Sequence, residues 1–159
     1  MPTYQRQVRV NAPLADVWDF HSHVSGLEAL TPSWMHLRIE AVRGPDDEDH
    51  PTVLEAGAEI DASVRPLGIG PRQRWTSIIT RRETFDGAAV FEDEMRSGPF
   101  RRWRHTHAFY ADDDATLIRD RIEYRLPLDG LGDAVGPLAR VGFEPMFRYR
   151  HRKTKYLLE

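Results

Sequence analysis

The sequence predicts an α+β chain: a curved antiparallel β-sheet of six or seven strands wrapped around a long C-terminal α-helix, with two short helices after strand 1. Three observations predict it. Apolar and polar residues alternate in successive segments between residues 37 and 126, which is the period of half-buried strands. From about residue 130 to 158 the apolar residues recur at three- and four-residue steps, which is the period of a helix. Two short segments with helical spacing lie between the first strand and that series. A sheet with one apolar face needs a cover, and the long helix is the element large enough to supply it.

The first strand is "TYQRQVRV", with Tyr4, Val8 and Val10 at even spacing. In "NAPLADVWDF", Asn11 suits an N-cap, Pro13 an early helical position and Asp16 the first turn. Leu14, Val17, Trp18 and His21 then share one helical face. "VSGLEAL" is a second short helix, and "RGPDDEDHP" is a solvated acidic loop. Among the strands, "HLRIEAV" puts Leu37, Ile39 and Ala41 on one face, and "AEIDASV" does the same with Ile60, Ala62 and Val64. "RQRWTSIITRRETF" aligns Trp75, Ser77 and Ile79. In the last segment Leu131, Val135, Leu138, Gly142, Met146 and Tyr149 form the helical row. Pro137 and Pro145 predict a kink or a broken first half, because an interior proline removes a hydrogen bond and clashes with the preceding turn.

Composition narrows the function classes. At 159 residues the chain fits a single domain, 1–159. A net charge of −3 gives no reason to expect nucleic acid as a partner. The absence of cysteine excludes thiolate nucleophiles, disulfides and zinc–thiolate sites. No apolar run reaches the roughly 18 residues of a bilayer span, so no stable membrane insertion is expected. "MPTYQRQVRV" lacks the apolar stretch of a signal peptide, which makes the cytoplasm the expected location.

"WRHTHAFY" concentrates the chemistry. Trp103, His105, His107 and Phe109 share one face of a strand, opposite Arg102, Arg104, Thr106 and Ala108. The arginine face belongs in water, so the histidines should point into the concave interior. Phe91, Asp93 and Met95 form a similar inward row, and so do Ile118, Asp120, Ile122, Tyr124 and Leu126. An inward carboxylate is costly unless paired, and aspartates beside histidines would satisfy both and favour imidazolium. Asp93 and Asp120 are the candidates, with the strand register left open.

The segments "LEALTPSW", "FEDEMRSGPFRRWRHTHAF", "DRIEYRLPLDGLG" and "FRYR" also carry a family resemblance. Across essentially its whole length the chain resembles the START-like or Bet v 1-like superfamily (SRPBCC), and within it the polyketide cyclase/dehydrase-like branch. The resemblance implies the helix-grip fold and a cavity between the sheet and the C-terminal helix. It also implies a small hydrophobic ligand, such as a lipid, quinone or polyketide-like molecule, and for a minority of members a cyclase or dehydratase reaction.

The favoured reading is therefore ligand binding. Asp93, His105, His107 and Asp120 would meet the ligand's oxygenated end. Trp75, Phe91, Met95, Trp103, Phe109, Ile122 and Tyr124 would form the wall, and Leu131, Val135, Leu138 and Met146 would touch the apolar body. The alternative is a cyclase or dehydratase with His105 or His107 as general acid or base, oriented by Asp120 or Asp93. Histidines at i and i+2 of a strand can also ligate a metal, with Asp93 or Asp120 as third ligand. The sequence shows no fuller ligand set, so no metal or prosthetic cofactor is required in this reading. Asp19, His21 and His23 in "DFHSH" fall at a helix end and read as surface groups. The basic run "RYRHRKTKY" offsets the negative end of the last helix dipole.

Overall fold

The computed structural model describes residues 1–46, 48, 49 and 51–159, apart from the side chains of residues 129, 133, 135 and 137. Seven strands form one antiparallel sheet in the order β1-β7-β6-β5-β4-β3-β2. They are β1 Thr3–Val10, β2 Arg38–Arg43, β3 Glu59–Val64, β4 Gln73–Phe85, β5 Ala88–Ser97, β6 Arg102–Asp112 and β7 Ala115–Arg125. Helices α1 Leu14–His21 and α2 Val24–Ala29 follow β1, and α3 Asp129–Val135 and α4 Arg140–Leu158 close the chain. This is the expected helix-grip architecture, and the expected break in the last segment is a 3₁₀ turn at Gly136–Ala139.

Local chemistry accounts for two departures from the sequence reading. Helix α1 starts at Leu14, with extended Pro13 as its cap residue, and Asn11 instead accepts a hydrogen bond from Arg9. A register shift between Ile39 and Ala41 interrupts the alternation of β2. Val42, and not Ala41, therefore packs with Leu37 and Ile39 against the core. Two further shifts in β4, at Thr76/Ser77 and Ile79/Arg81, bend the longest strand where the sheet curves.

The core has two apolar clusters. One gathers Val10, Val17, Ile60, Ile79, Phe109 and Ile118 beneath α1. The other gathers Tyr4, Ile122, Tyr124, Phe143 and Phe147 beneath α4. On β6 the row runs from Trp103 at the second cluster to Phe109 in the first, and His105 and His107 occupy the two positions between them. On β7, Asp120 takes the matching place between Ile118 and Ile122. A polar band thus crosses an apolar interior. The opposite face of β6 meets solvent as expected, with exposed Arg104 donating to Glu94 at 2.8 Å.

Candidate functional site

Register decides which aspartate meets which histidine. β6 and β7 pair with His107 opposite Asp120, and β5 and β6 pair with Asp93 opposite His105. Nε2–H of His105 donates to Asp120 Oδ1 at 2.9 Å, and Nδ1 of His107 lies 2.7 Å from the same oxygen. The second carboxylate oxygen is taken by α4: Nε2–H of His151 donates to Asp120 Oδ2 at 2.5 Å. Asp120 is 2% exposed and His151 3%, so a single buried carboxylate gathers three imidazoles.

Asp93 stands on the other side of the pair. Its Oδ2 is 3.8 Å from Nδ1 of His105 and 3.8 Å from Nε2 of His107. The two rings lie against each other with centroids 3.6 Å apart and planes inclined by 40°. Each ring therefore turns one nitrogen to Asp120 and the other toward Asp93.

The electrostatics follow from burial and these partners. Burial raises the carboxyl pKa of Asp120, but the His107 charge and hydrogen bonds from the three rings outweigh it, holding the pKa well below the usual carboxylate range. Burial also works against imidazolium at His107, yet the charge and hydrogen bonding of Asp120, with Asp93, raise its pKa. His105 is lowered by burial and by the neighbouring His107 charge. The pKa values of the two rings are thus pushed in opposite directions, and the rings are not equivalent despite their symmetric spacing.

Asp93, His105 and His107 border a cavity of about 570 Å³ between the sheet and α4. Its wall is mainly apolar, including Trp75, Phe91, Met95, Trp103, Met146 and Phe147. Asp93, His105, His107 and Arg150 form its polar side. Arg150 projects from α4 toward the charges of Asp93 and Asp120, and burial lowers its pKa.

The sequence-derived candidates divide. Trp75, Phe91, Asp93, Met95, Trp103, His105, His107 and Met146 line the cavity. Phe109, Asp120, Ile122 and Tyr124 are buried behind it; Tyr124 donates to the Gly136 carbonyl at 2.7 Å. Leu131 and Leu138 are 64% and 68% exposed and do not reach the cavity, which corrects their placement on its wall. The side chain of Val135 lies outside the described residues.

The inward face of α4 consists instead of Phe143, Phe147, His151 and Thr154, a four- and three-residue spacing visible in the sequence. The row counted from Leu131 lost its phase at the 3₁₀ turn, which winds three residues per turn. His21 also corrects its surface assignment. It lines the cavity, packs edge-on against Phe109 and donates from Nδ1 to the Val17 carbonyl at 2.8 Å. Burial drops its pKa to about 3.

Comparison with known proteins places this geometry. The family model described as "Polyketide cyclase / dehydrase and lipid transport" matches residues 10–148. The chain belongs to that family. Its fold is similar to that of TTHA0849 from Thermus thermophilus, at 16% identity and a TM-score of 0.66 over 99% of this chain and 100% of that one. It is also similar to norcoclaurine synthase of Thalictrum flavum, crystallised as a point mutant with a transition-state analogue. That match has 17% identity and a TM-score of 0.67, covering 99% of this chain and 93% of the other. A START superfamily protein of Mycobacterium smegmatis matches at 13% identity and a TM-score of 0.60, covering 98% and 96%. Comparison with curated proteins gives no match. At these identities the solved structures share the fold with this chain, and the chemistry of the cavity has to be argued from its own residues.

Proposed function

We propose that this family member binds one small, mainly apolar molecule in the cavity and holds an oxygen-bearing end of it against Asp93, His105, His107 and Arg150. The observation that carries the reading is the cavity itself: about 570 Å³, walled mainly by apolar side chains, with its charged groups on one side. That size lies within the roughly 300–1,000 Å³ of small-molecule sites. Arg150 narrows the ligand chemistry. A guanidinium beside a pocket favours a carboxylate, phenolate or enolate oxygen, while His107 and Asp93 can serve a hydroxyl or carbonyl.

Native mass spectrometry of freshly purified protein, followed by denaturation and identification of what is released, tests this. A stoichiometric apolar compound with an acidic or enolic oxygen is expected. A compound without such an oxygen would sink the assignment of the polar end.

One observation favours a second reading, a cyclase or dehydratase. His107 has one nitrogen on Asp120 and the other on the cavity side, which is how a carboxylate orients a general acid or base. The readings separate in His107→Gln. A binding protein changes its affinity for the released compound modestly, whereas an enzyme loses roughly 10²–10⁴-fold in turnover of that compound.

A further inference from the structure

We propose that Asp93, His105 and His107 form a binding site for a first-row divalent transition-metal ion, with Asp120 as the carboxylate that orients both imidazole ligands. Hydrogen accounting leads there. A carboxylate only accepts, so Nε2 of His105 and Nδ1 of His107, at 2.9 and 2.7 Å from Asp120, carry their rings' hydrogens. Once His107 gives up the proton that its carboxylate neighbours favour, the remaining nitrogen of each ring is a bare lone pair. Both face Asp93 Oδ2 at 3.8 Å, too far for a hydrogen bond and close enough for repulsion between acceptors. Among the described residues, one such atom from each of Asp93, His105 and His107 lies within 4.8 Å of the other two. Converging acceptors call for a cation among them.

A metal answers this more completely than a proton, because a proton joins at most two of the three atoms and a metal joins all. Ligand bonds of roughly 2.0–2.2 Å put ligand atoms about 3.4 Å apart in a tetrahedral site, so the two 3.8 Å distances from Asp93 to the rings close by a few tenths of an ångström. Two imidazoles and one carboxylate suit zinc, iron, cobalt or manganese, and disfavour magnesium and calcium. The other requirement of a histidine metal site is a partner on the far ring nitrogen, which fixes tautomer and orientation. Asp120 supplies it to both rings, and His151 holds Asp120 in turn at 2.5 Å.

The three ligands line the cavity wall, which leaves the remaining coordination positions toward the ligand space. Charge agrees as well. With both rings neutral, as metal ligands are, Asp93, Asp120 and Arg150 together leave one negative charge, and a dication converts it to one positive charge. An anionic oxygen in the cavity would then meet both the metal and Arg150.

The test uses the ion alone, so its outcome is independent of the cavity reading. Chelator-treated protein is titrated with Co²⁺, followed by its visible d–d absorption, and competed with Zn²⁺. One Co²⁺ per chain is expected, displaced by Zn²⁺. Asp93→Ala should weaken uptake by more than about 100-fold, beyond the 10–100-fold typical of outer-shell changes. That variant removes a cavity-side group and should keep the near-ultraviolet circular dichroism of the wild type. His107→Gln should behave likewise, and His23→Gln on the outside should bind as wild type does. Failure of wild-type protein to take up stoichiometric Co²⁺, or uptake that survives Asp93→Ala, would overturn the site.

Discussion

A carboxylate that is 2% exposed and accepts from three imidazoles makes Asp120 the residue on which the polar band depends. Asp120→Ala would leave the N–H groups of His105, His107 and His151 buried without their acceptor. Removing one member of a buried ionic network costs about 3–5 kcal/mol, because the groups left behind stay desolvated. The expected outcome is an unfolding free energy lowered by that amount, read from a lower urea midpoint at unchanged m-value; a loss under about 1 kcal/mol would mean that water replaces the carboxylate.

His21 gives the pH dependence at the same scale. Burial lowers its pKa to about 3, against the hydrogen bond to Val17, with the charges of His107, Arg150 and Asp120 also acting on it. The unfolded chain takes up this proton near pH 6.5, and the folded chain resists it. Stability contributed by neutral His21 is therefore present above pH 6.5 and lost as pH falls toward 3, at up to about 1.4 kcal/mol per unit. Urea unfolding of wild type and His21→Gln between pH 7.5 and 5 should show a shallower decline in the variant. Parallel declines would refute the assignment.

The elements show how α4 comes to carry so much of the site. Its N-terminal part is tied to β1: Tyr4 donates to Glu144 at 2.5 Å, and Arg6 meets the same carboxylate at 2.6 Å. On its inward side Phe143 and Phe147 press into the second core cluster, and farther along Arg150 and His151 reach the polar band. Phe147 is 1% exposed, so Phe147→Ala should cost about 3–5 kcal/mol. Leu138 is 68% exposed, and Leu138→Ala should fall within about 0.5 kcal/mol. Thermal or urea unfolding of the two variants tests the helix phase directly; equal losses would mean that the row counted from Leu131 is the packed one.

The same contrast explains what was legible in the sequence. Strand faces were readable because side chains alternate strictly, so the inward rows of β5, β6 and β7 could be written down with their odd polar members. Those rows put Asp93 and Asp120 beside the inward histidines, but the split of the two carboxylates onto opposite nitrogens needed the register of three strands. Arg150 and His151 were hidden within a basic run that resembles any solvated helix end. Nothing in composition separates an inward arginine from an outward one; only the phase of Phe143 and Phe147 does, and that phase does not continue across the 3₁₀ turn.

At the scale of the whole molecule, the cavity persists because sheet and helix meet along two clusters and stay apart between them. α4 packs on β1 and on Tyr124 at one side, α1 packs over Phe109 and Phe91 at the other, and the curved sheet spans the gap. Filling that gap should abolish binding without harming the fold, and Gly142 is the place to fill it from. It lines the cavity from the first turn of α4, and a Cβ there would meet no atom within 4 Å. Gly142→Trp therefore puts a large ring toward the ligand space with no clash at its root, and replacing a helical glycine contributes up to about 1 kcal/mol through helix propensity. The dye 1-anilinonaphthalene-8-sulfonate, an apolar probe with an anionic end suited to Arg150, should bind the wild type with one-to-one stoichiometry. In Gly142→Trp its affinity should fall more than about 10-fold, equivalent to about 1.4 kcal/mol, while Tm holds or rises. Dye affinity unchanged by that ring would place the dye outside the cavity. A fall in both affinity and Tm would mean that the space beside α4 is needed for packing and is not available to a ligand.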